Sequence, residues 1–178
     1  ETYKKAIVES VPMNELIRDM AVELHAQGRP TIIMVERLAH GEMLQEMIPN
    51  SLFVPGGDGS DDKAIPDDEL DYRKYQLDRL EKNEIIMIAT QWAFVGVDAP
   101  KIAGIILACS IGSGNTITQQ IGRGLRTAEG KSDCVIIDFK HKEKSLRGHA
   151  LSRMKVYKLE EEFYVKVLKY NNVKGTYV

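Results

Sequence analysis

Two arginines at a fixed spacing are the residues of this chain best suited to chemistry. They lie in the run Gln119-Gln120-Ile121-Gly122-Arg123-Gly124-Leu125-Arg126. A guanidinium group presents a planar fork of donors that matches phosphate oxygens, and the glycine between the two arginines leaves one approachable backbone surface for both forks. The run therefore predicts a binding site for a polyphosphate. For each arginine taken alone, a surface salt bridge is the alternative.

A second segment with chemical potential begins where a short apolar run, residues 85–89, ends. Thr90 and Gln91 come first, and a Gly96-Val97-Asp98 turn follows. Threonine offers a hydroxyl and an N–H group to a phosphate, while a Gly-x-Asp turn brings the backbone close to a ligand and presents a carboxylate to a sugar hydroxyl. On these residues alone, an ordinary strand, loop and turn is the alternative interpretation.

Hydrophobic periodicity predicts the elements that position these residues. The pattern indicates an α/β fold, because strands separated by helices form βαβ units and a mostly parallel sheet with helices on both faces. Ligands of such sheets bind in loops at the carboxyl ends of the strands, where we expect each motif to fall. Predicted helices cover 13–27, 37–47, 72–82, 116–126 and 144–157, and predicted strands cover 31–35, 51–54, 85–89, 105–109, 135–139 and 163–170.

Composition limits the class of protein. The 178 residues suit one domain, and 43% hydrophobic with 28% charged residues is the balance of a globular chain. No apolar stretch could span a bilayer and no secretory signal is recognisable, so we expect no membrane contact, no export, and a cytoplasmic or other reducing compartment. The net charge of −2 gives the whole molecule no attraction for nucleic acid, so any such binding must be local.

The two cysteines give no sign of a metal site. Cys109 and Cys134 each lie within an apolar run and lack the spacing of zinc ligands. We expect buried thiols rather than a disulfide or a zinc site.

Taken together, the two chemical segments resemble motifs V and VI of superfamily 2 helicases and DNA translocases. The order is a strand with Ala-Thr, Gly-x-Asp-x-Pro, a second strand, and Gln-x-x-Gly-Arg-x-x-Arg, and the spacing between the motifs fits as well. Glutamine at position 119 points to the UvsW-like and restriction-translocase branch, because DEAD-box proteins usually carry histidine there.

The resemblance extends outward along the chain. The strand 31–35 followed by Arg37, His40 and Leu44 is similar to motif IV, and a Gly56-Gly57 loop follows in the family's order. The stretch His149-x-x-x-Arg153-x-x-x-Tyr157 is similar to one found after motif VI in branch-migrating and restriction-type relatives.

This resemblance implies the second RecA-like domain of a two-domain motor, a three-layer sandwich. One domain would span 1–178, with 140–178 as a basic helical and strand extension. Arg123 and Arg126 would act as arginine fingers on the γ-phosphate of ATP. The other implied roles are Gln119 beside the phosphates or the attacking water, Gly96, Asp98 and Gly122 at the nucleotide, and Thr90, Arg37, Gly57 and Gln91 at the phosphates of one nucleic-acid strand.

A complete motor also needs a phosphate-binding loop with its lysine and an Asp-Glu metal pair, and neither is recognisable here. Gly130-Lys131-Ser132 mimics the end of such a loop but lacks its leading glycine and its strand-to-helix context. We therefore expect ATP with Mg²⁺ to be held mainly by an N-terminal RecA-like partner domain, and the isolated chain to be inactive as an ATPase.

Other interpretations stay open. One is a non-catalytic nucleic-acid-binding module, and another is a self-sufficient nucleotide enzyme built on the Gly112-Ser113-Gly114 turn. DNA is the expected substrate, with RNA as the alternative. The basic tail is either a solvated helix face or a nucleic-acid track; its members are Lys140, Lys142, Lys144, Arg147, Arg153, Lys155 and Lys158.

Overall fold

A computed structural model describes residues 2–56, 67–90, 99–110, 126–159, 161, 163–171 and 176–177. After a π-helical turn, Lys4–Val8, the helices are α1 Val11–Ala26, α2 Leu38–Met47, α3 Asp67–Glu81 and α4 Lys144–Leu159. The strands are β1 Thr31–Val35, β2 Ser51–Val54, β3 Ile86–Thr90, β4 Gly104–Ala108 and β5 Val135–Asp138, followed by the short β6 Tyr170–Asn171 and β7 Thr176–Tyr177.

Strands β1 to β5 form one sheet in the order β2-β3-β1-β4-β5, with every neighbouring pair parallel. All residues of β1, β3 and β4 are buried. Such strands read as unbroken apolar runs because both of their faces are covered. The register sets Val35 of β1 opposite Thr90 of β3 on one side and Ala108 of β4 on the other.

Helices cover the sheet on both faces. Ile17 and Leu24 of α1 and Leu44 of α2 pack with one set of strand side chains, which includes Ile33 and Ile88. Leu77 and Leu80 of α3 pack with the alternate set on the other face, which includes Ile32, Met34 and Met87. The architecture is a three-layer α/β sandwich, and the predicted fold class is confirmed.

The five sheet strands begin and end within one residue of their predicted limits. Helix α3 begins at Asp67, within the Pro66-Asp67-Asp68-Glu69 stretch that the sequence favours as a helix start ahead of 72–82, and α4 ends at Leu159. Of the predicted helix 116–126, residues 116–125 lie outside the described residues, and Arg126 lies in a bend. Cys109 is buried as the sequence predicts, whereas Cys134 is only partly buried.

The predicted edge strand 163–170 is wrong. Residues 163–169 form no regular structure, and Tyr170 instead pairs with Tyr177 in a separate two-stranded antiparallel sheet. The alternating pattern has another cause, because Phe163 and Val165 turn their apolar side chains towards Tyr157 of α4. The half-buried alternation therefore reflects packing against a helix rather than a ladder of strand hydrogen bonds.

Gly41 allows α2 to approach β2 closely. A Cβ atom at this position would overlap the aromatic ring of Phe53. Glycine in a helix interior costs about 1 kcal/mol relative to alanine, so its presence here is explained by the space that the ring occupies.

Gly41→Ala should therefore lower the free energy of unfolding by about 1–3 kcal/mol, because overpacking outweighs the gain in helix propensity. Gly148→Ala in α4 is the matched control, since a Cβ atom there meets nothing within 4 Å. The control should raise the free energy of unfolding by up to about 1 kcal/mol. Urea denaturation of both variants checks the pair, and a stabilising Gly41→Ala would contradict the packing argument.

Candidate functional site

The carboxyl ends of β1 to β5 lie along one edge of the sheet, because all five strands are parallel. Residues that follow strands far apart in sequence are brought together there. Arg37 comes two residues after β1, Gly56 comes two residues after β2, and Thr90 is the last residue of β3. We call the edge of the sheet formed by the carboxyl ends of β1 to β5 the carboxyl edge.

Thr90 is buried at the carboxyl edge, with 7% of its surface exposed. Its hydroxyl oxygen accepts a hydrogen bond of 2.7 Å from the backbone N–H of Gly56. The hydroxyl hydrogen is not used in this bond and can be donated. Thr90 therefore holds the start of the loop that contains Gly57, which itself lies outside the described residues together with Gln91.

Arg37 caps the first turn of α2 with extended backbone, φ −118° and ψ 137°. Its carbonyl accepts the backbone N–H groups of His40 and Gly41, each at 3.2 Å. The residue is exposed, so its guanidinium extends into solvent from a fixed backbone position. The pairing of Val35 with Thr90 sets Arg37 beside the end of β3.

His40, one turn further along α2, is completely buried. Its Nε2 lies 2.9 Å from Oδ1 of Asn14, and the Asn14 amide nitrogen donates to the carbonyl of Val8 at 2.9 Å. Because Oδ1 can only accept, Nε2 carries the proton. Nδ1 is buried and has no hydrogen-bond partner among the described residues. This contact joins α1 to α2 directly behind Arg37, and burial lowers the pKa of His40 to about 4.

The lowered pKa predicts a loss of stability in acid. Unfolded His40 has an ordinary pKa of 6.5 and takes up a proton before the folded form does, so stability falls as the pH drops from about 6.5 towards 4. Between pH 7 and 4.5 this group should contribute a loss of about 2–3 kcal/mol.

His40→Gln keeps a donor for Asn14 and removes the titrating group. Urea denaturation at pH 7 and pH 4.5 should show a smaller acid loss in this variant than in the unmodified protein. Equal losses in the two proteins would show that His40 does not titrate as described.

Ser110 follows β4 and leads directly into segment 111–125, which carries Gln119, Gly122 and Arg123. Its backbone N–H donates to a carboxylate oxygen of Glu36 at 3.2 Å. Nδ1 of His149 in α4 lies 2.7 Å from the Ser110 carbonyl and 3.0 Å from its hydroxyl. The entrance to the segment is therefore fixed at the carboxyl edge from two sides.

Asp138, the last residue of β5, holds α4 at the same edge. Its carboxylate accepts Nε of Arg153 at 2.8 Å, a terminal guanidinium nitrogen of Arg153 at 2.7 Å, and the hydroxyl of Tyr157 at 2.9 Å. The Arg153 side chain is only 3% exposed. Burial, then the charge of Asp138, raises the pKa of Tyr157, so this hydroxyl keeps its proton and donates. The stretch His149-x-x-x-Arg153-x-x-x-Tyr157 thus forms the helix face that docks on β4 and β5.

Arg153→Met should lower the free energy of unfolding by about 3–5 kcal/mol, because it leaves the Asp138 carboxylate without its buried cation. Tyr157→Phe removes one hydrogen bond to the same carboxylate and should cost about 1 kcal/mol. Urea denaturation measures both, and comparable losses in the two variants would argue against a dominant ion pair.

Arg126 follows segment 111–125 in the sequence and lies near the edge of the sheet opposite to the carboxyl edge. Its carbonyl accepts a hydrogen bond of 2.9 Å from Nζ of Lys131, and the same ammonium donates to the carbonyl of Pro100 at 3.0 Å. Lys131 borders a cavity of about 320 Å³ between the loops that lead into β1, β4 and β5, together with Arg29, Pro30, Ala103 and Asp133. The Arg126 carbonyl therefore lies towards the amino ends of the strands, away from Thr90 and Arg37.

The ammonium of Lys131 also connects the two chemical segments of the sequence. Pro100 ends the Gly96-Val97-Asp98-Ala99-Pro100 stretch, and Arg126 ends the arginine run. Burial lowers the pKa of Lys131. Gly130-Lys131-Ser132 lies in a loop with no helix after it, so it is not a phosphate-binding loop, as the sequence predicts.

The described residues cover only part of the predicted site. They include Thr90, Arg37 and Arg126, whereas Gln91, Gly57, Gly96, Asp98, Gln119, Gly122 and Arg123 lie outside them. Sequence reasoning missed Glu36, Ser110 and Asp138, and it weighed Lys131 only as part of a false phosphate-binding loop. For Glu36 and Asp138, the sequence signal was an acid directly after an apolar run, 31–35 and 135–137 respectively.

Comparison with solved structures identifies the fold. T4 UvsW superposes with a TM-score of 0.61 at 20% sequence identity, over 86% of this chain and 34% of that one. The chain has a RecA-like α/β fold. The C-terminal part of the Fun30 ATPase domain gives a TM-score of 0.58 at 16% identity, over 82% of this chain and 46% of that one. The E. coli DEAD-box protein SrmB gives 0.53 at 19% identity, over 84% and 79%.

The chain spans about a third of UvsW and less than half of the Fun30 chain. No protein-family profile and no curated protein matches the sequence. The predicted RecA-like sandwich is thus confirmed as a fold. Among the described residues, no helix is both long and apolar enough to cross a bilayer.

Proposed function

We propose that the chain is the second RecA-like motor domain of an ATP-dependent superfamily 2 helicase or translocase that acts on DNA by unwinding, branch migration or duplex translocation. The observation that carries the proposal is the run Gln119–Arg126 in a fold shared with helicase domains, flanked by anchored residues at both ends. Ser110, nine residues before the run, and Arg126, its last residue, are both held by hydrogen bonds.

The nucleotide side of the proposal rests on Lys131. By bonding to the carbonyls of Arg126 and Pro100, this lysine joins the last residue of the arginine run to a residue two positions after Asp98. In the proposed site Arg123 and Arg126 reach the γ-phosphate of ATP, Gln119 lies near the phosphates or the attacking water, and Gly96, Asp98 and Gly122 approach the nucleotide.

The donor chemistry of this chain fits only half of such a site. Arginine forks suit the terminal phosphates, and ATP with Mg²⁺ supplies the phosphoryl group that is transferred. The phosphate-binding loop and the metal carboxylates would come from an N-terminal RecA-like partner domain. The arginines would then act across the interdomain cleft, and the isolated chain would be inactive as an ATPase.

The nucleic-acid side of the proposal lies at the carboxyl edge. Thr90, the Gly56-Gly57 backbone, Gln91 and Arg37 would bind phosphates of one strand. The support is the short distance between Thr90 and Gly56 and the exposed guanidinium of Arg37 beside them. The Arg126 carbonyl lies near the amino ends of the strands, whereas Thr90 and Arg37 lie at the carboxyl edge. In the proposal, domain closure on ATP moves the nucleic-acid-binding residues without bringing the two ligands together.

Arg126→Ala in the complete motor should lower DNA-stimulated ATP hydrolysis by about 10³-fold or more, the usual effect of losing an arginine finger. Arg126→Lys is the matched variant, because it keeps the charge but loses the planar fork, and it should restore only a small part of the rate. Steady-state phosphate release with saturating DNA measures both.

DNA affinity of the Arg126→Ala motor, measured without nucleotide, should stay within about twofold of the unmodified protein. Near-normal hydrolysis in this variant would sink the assignment of Arg126. A loss of DNA binding that matches the loss of hydrolysis would instead indicate a non-catalytic nucleic-acid-binding module.

A further inference from the structure

Helix α4 lies across the carboxyl edge rather than apart from the sheet. His149 contacts Ser110, directly after β4, and Arg153 and Tyr157 contact Asp138 at the end of β5. Leu146 and Ala150 are buried on the same side. One face of α4 is therefore fully engaged at the edge where the proposed strand grip lies.

The opposite face of α4 carries a stripe of positive charge. Lys144, Arg147, Lys155 and Lys158 recur at helical spacing, and all four are exposed. We call these residues the α4 stripe. Leu151, which is 42% exposed, lies on the same line between the two pairs.

None of the ion pairs between described residues involves the stripe. In contrast, the buried Arg153 on the docking face has its charge matched by Asp138. The exposed Lys74 and Lys82 of the α3 region lie beside Asp71 and Asp78. Positive charge is thus concentrated on one helix face of a chain whose net charge is −2.

The length of the stripe suits a nucleic-acid backbone. Residues 144 and 158 are separated by about 21 Å along the helix axis, at 1.5 Å per residue, which equals about six base pairs of B-DNA. The helix that carries the stripe docks beside the ends of β4 and β5, at the same carboxyl edge where Thr90 ends β3 and Arg37 follows β1. In the proposal, one duplex contacts both the stripe and these two residues.

We propose that the α4 stripe is a second DNA-binding surface, which binds phosphates of a duplex beyond the strand held by Thr90 and Arg37. The inference rests on the proposed function and adds a site to it. The stripe carries charge of one sign, its residues recur at helical spacing, and its helix docks at the carboxyl edge. These features favour the DNA backbone over an acidic protein as the binding partner. Phosphate contacts of this kind carry no sequence information and depend strongly on salt.

The test compares fluorescence anisotropy titrations of a 20-base-pair duplex with the 178-residue chain and with a stripe variant that combines Lys144→Gln, Arg147→Gln, Lys155→Gln and Lys158→Gln. At about 100 mM salt the stripe variant should bind about 10- to 100-fold more weakly. The slope of the logarithm of the binding constant against the logarithm of the salt concentration should become less steep by about two to four, because each phosphate contact contributes about 0.9 to its magnitude.

A charge-matched control combines Arg18→Gln, Lys74→Gln, Lys82→Gln and Lys101→Gln. It removes the same charge from three exposed lysines and one partly buried arginine that lie outside helix α4. Its affinity should stay within about threefold of the unmodified chain. Urea denaturation should show that the stripe variant is folded, since none of its four side chains is buried.

A third variant, Arg37→Gln, separates this inference from the proposed function. If Arg37→Gln binds the duplex more weakly and the stripe variant binds it unchanged, the proposal that the stripe binds DNA is overturned. The proposed motor function is then unaffected. Equal losses in the stripe variant and the charge-matched control also overturn the proposal that the stripe binds DNA, because net charge alone would then explain the effect. No duplex binding by the unmodified chain at about 50 mM salt would count against both proposals.

Discussion

The position of β1 between β3 and β4 is the constraint on which the rest of the structure depends. Every residue of β1 is buried, so the strand needs a hydrogen-bonded neighbour on both sides and a helical layer on both faces. Because all pairs are parallel, strand ends that are far apart in sequence reach the same edge. Val35 lies opposite both Thr90 and Ala108, and this register alone makes Arg37, Thr90 and Ser110 neighbours.

The proposed motor chemistry depends on how the segment between Ser110 and Arg126 is held. Glu36 and His149 hold Ser110 at the carboxyl edge, before the segment. Lys131 holds Arg126, after the segment, near the amino ends of the strands. An arginine stabilises a transition state most effectively when it meets the phosphate in a position that needs little further ordering. In the proposal, the fixed positions of Ser110 and Arg126 serve this requirement.

Much of this fold can be predicted from the sequence, because buried parallel strands are short apolar runs bounded by breakers. The predicted strand over 163–170 is wrong because Phe163 and Val165 alternate to pack on a helix. Hydrophobic periodicity does not show which element an apolar side chain packs against. The position of Thr90 and Arg37 at the carboxyl edge could be predicted, because each lies at or just after the end of an apolar run. The pairing of Glu36 with Ser110, 74 residues away, does not follow, because it depends on strand order. Likewise, the spacing of Arg153 and Tyr157 predicts a shared helix face but does not identify Asp138.

The two faces of α4 show why a count of basic residues is a poor guide to nucleic-acid binding. Arg153 and Arg147 lie six residues apart, yet Asp138 cancels the charge of the first while the second stays in solvent. At physiological salt the Debye length is about 8 Å, so a bound phosphate responds to nearby charges and not to the net charge of the chain. Along the helix axis the stripe forms two pairs with an internal rise of about 4.5 Å, and these pairs are about 12 Å apart. In the proposal each pair contacts its own phosphate, and this spacing favours a long polyanion over a single small anion.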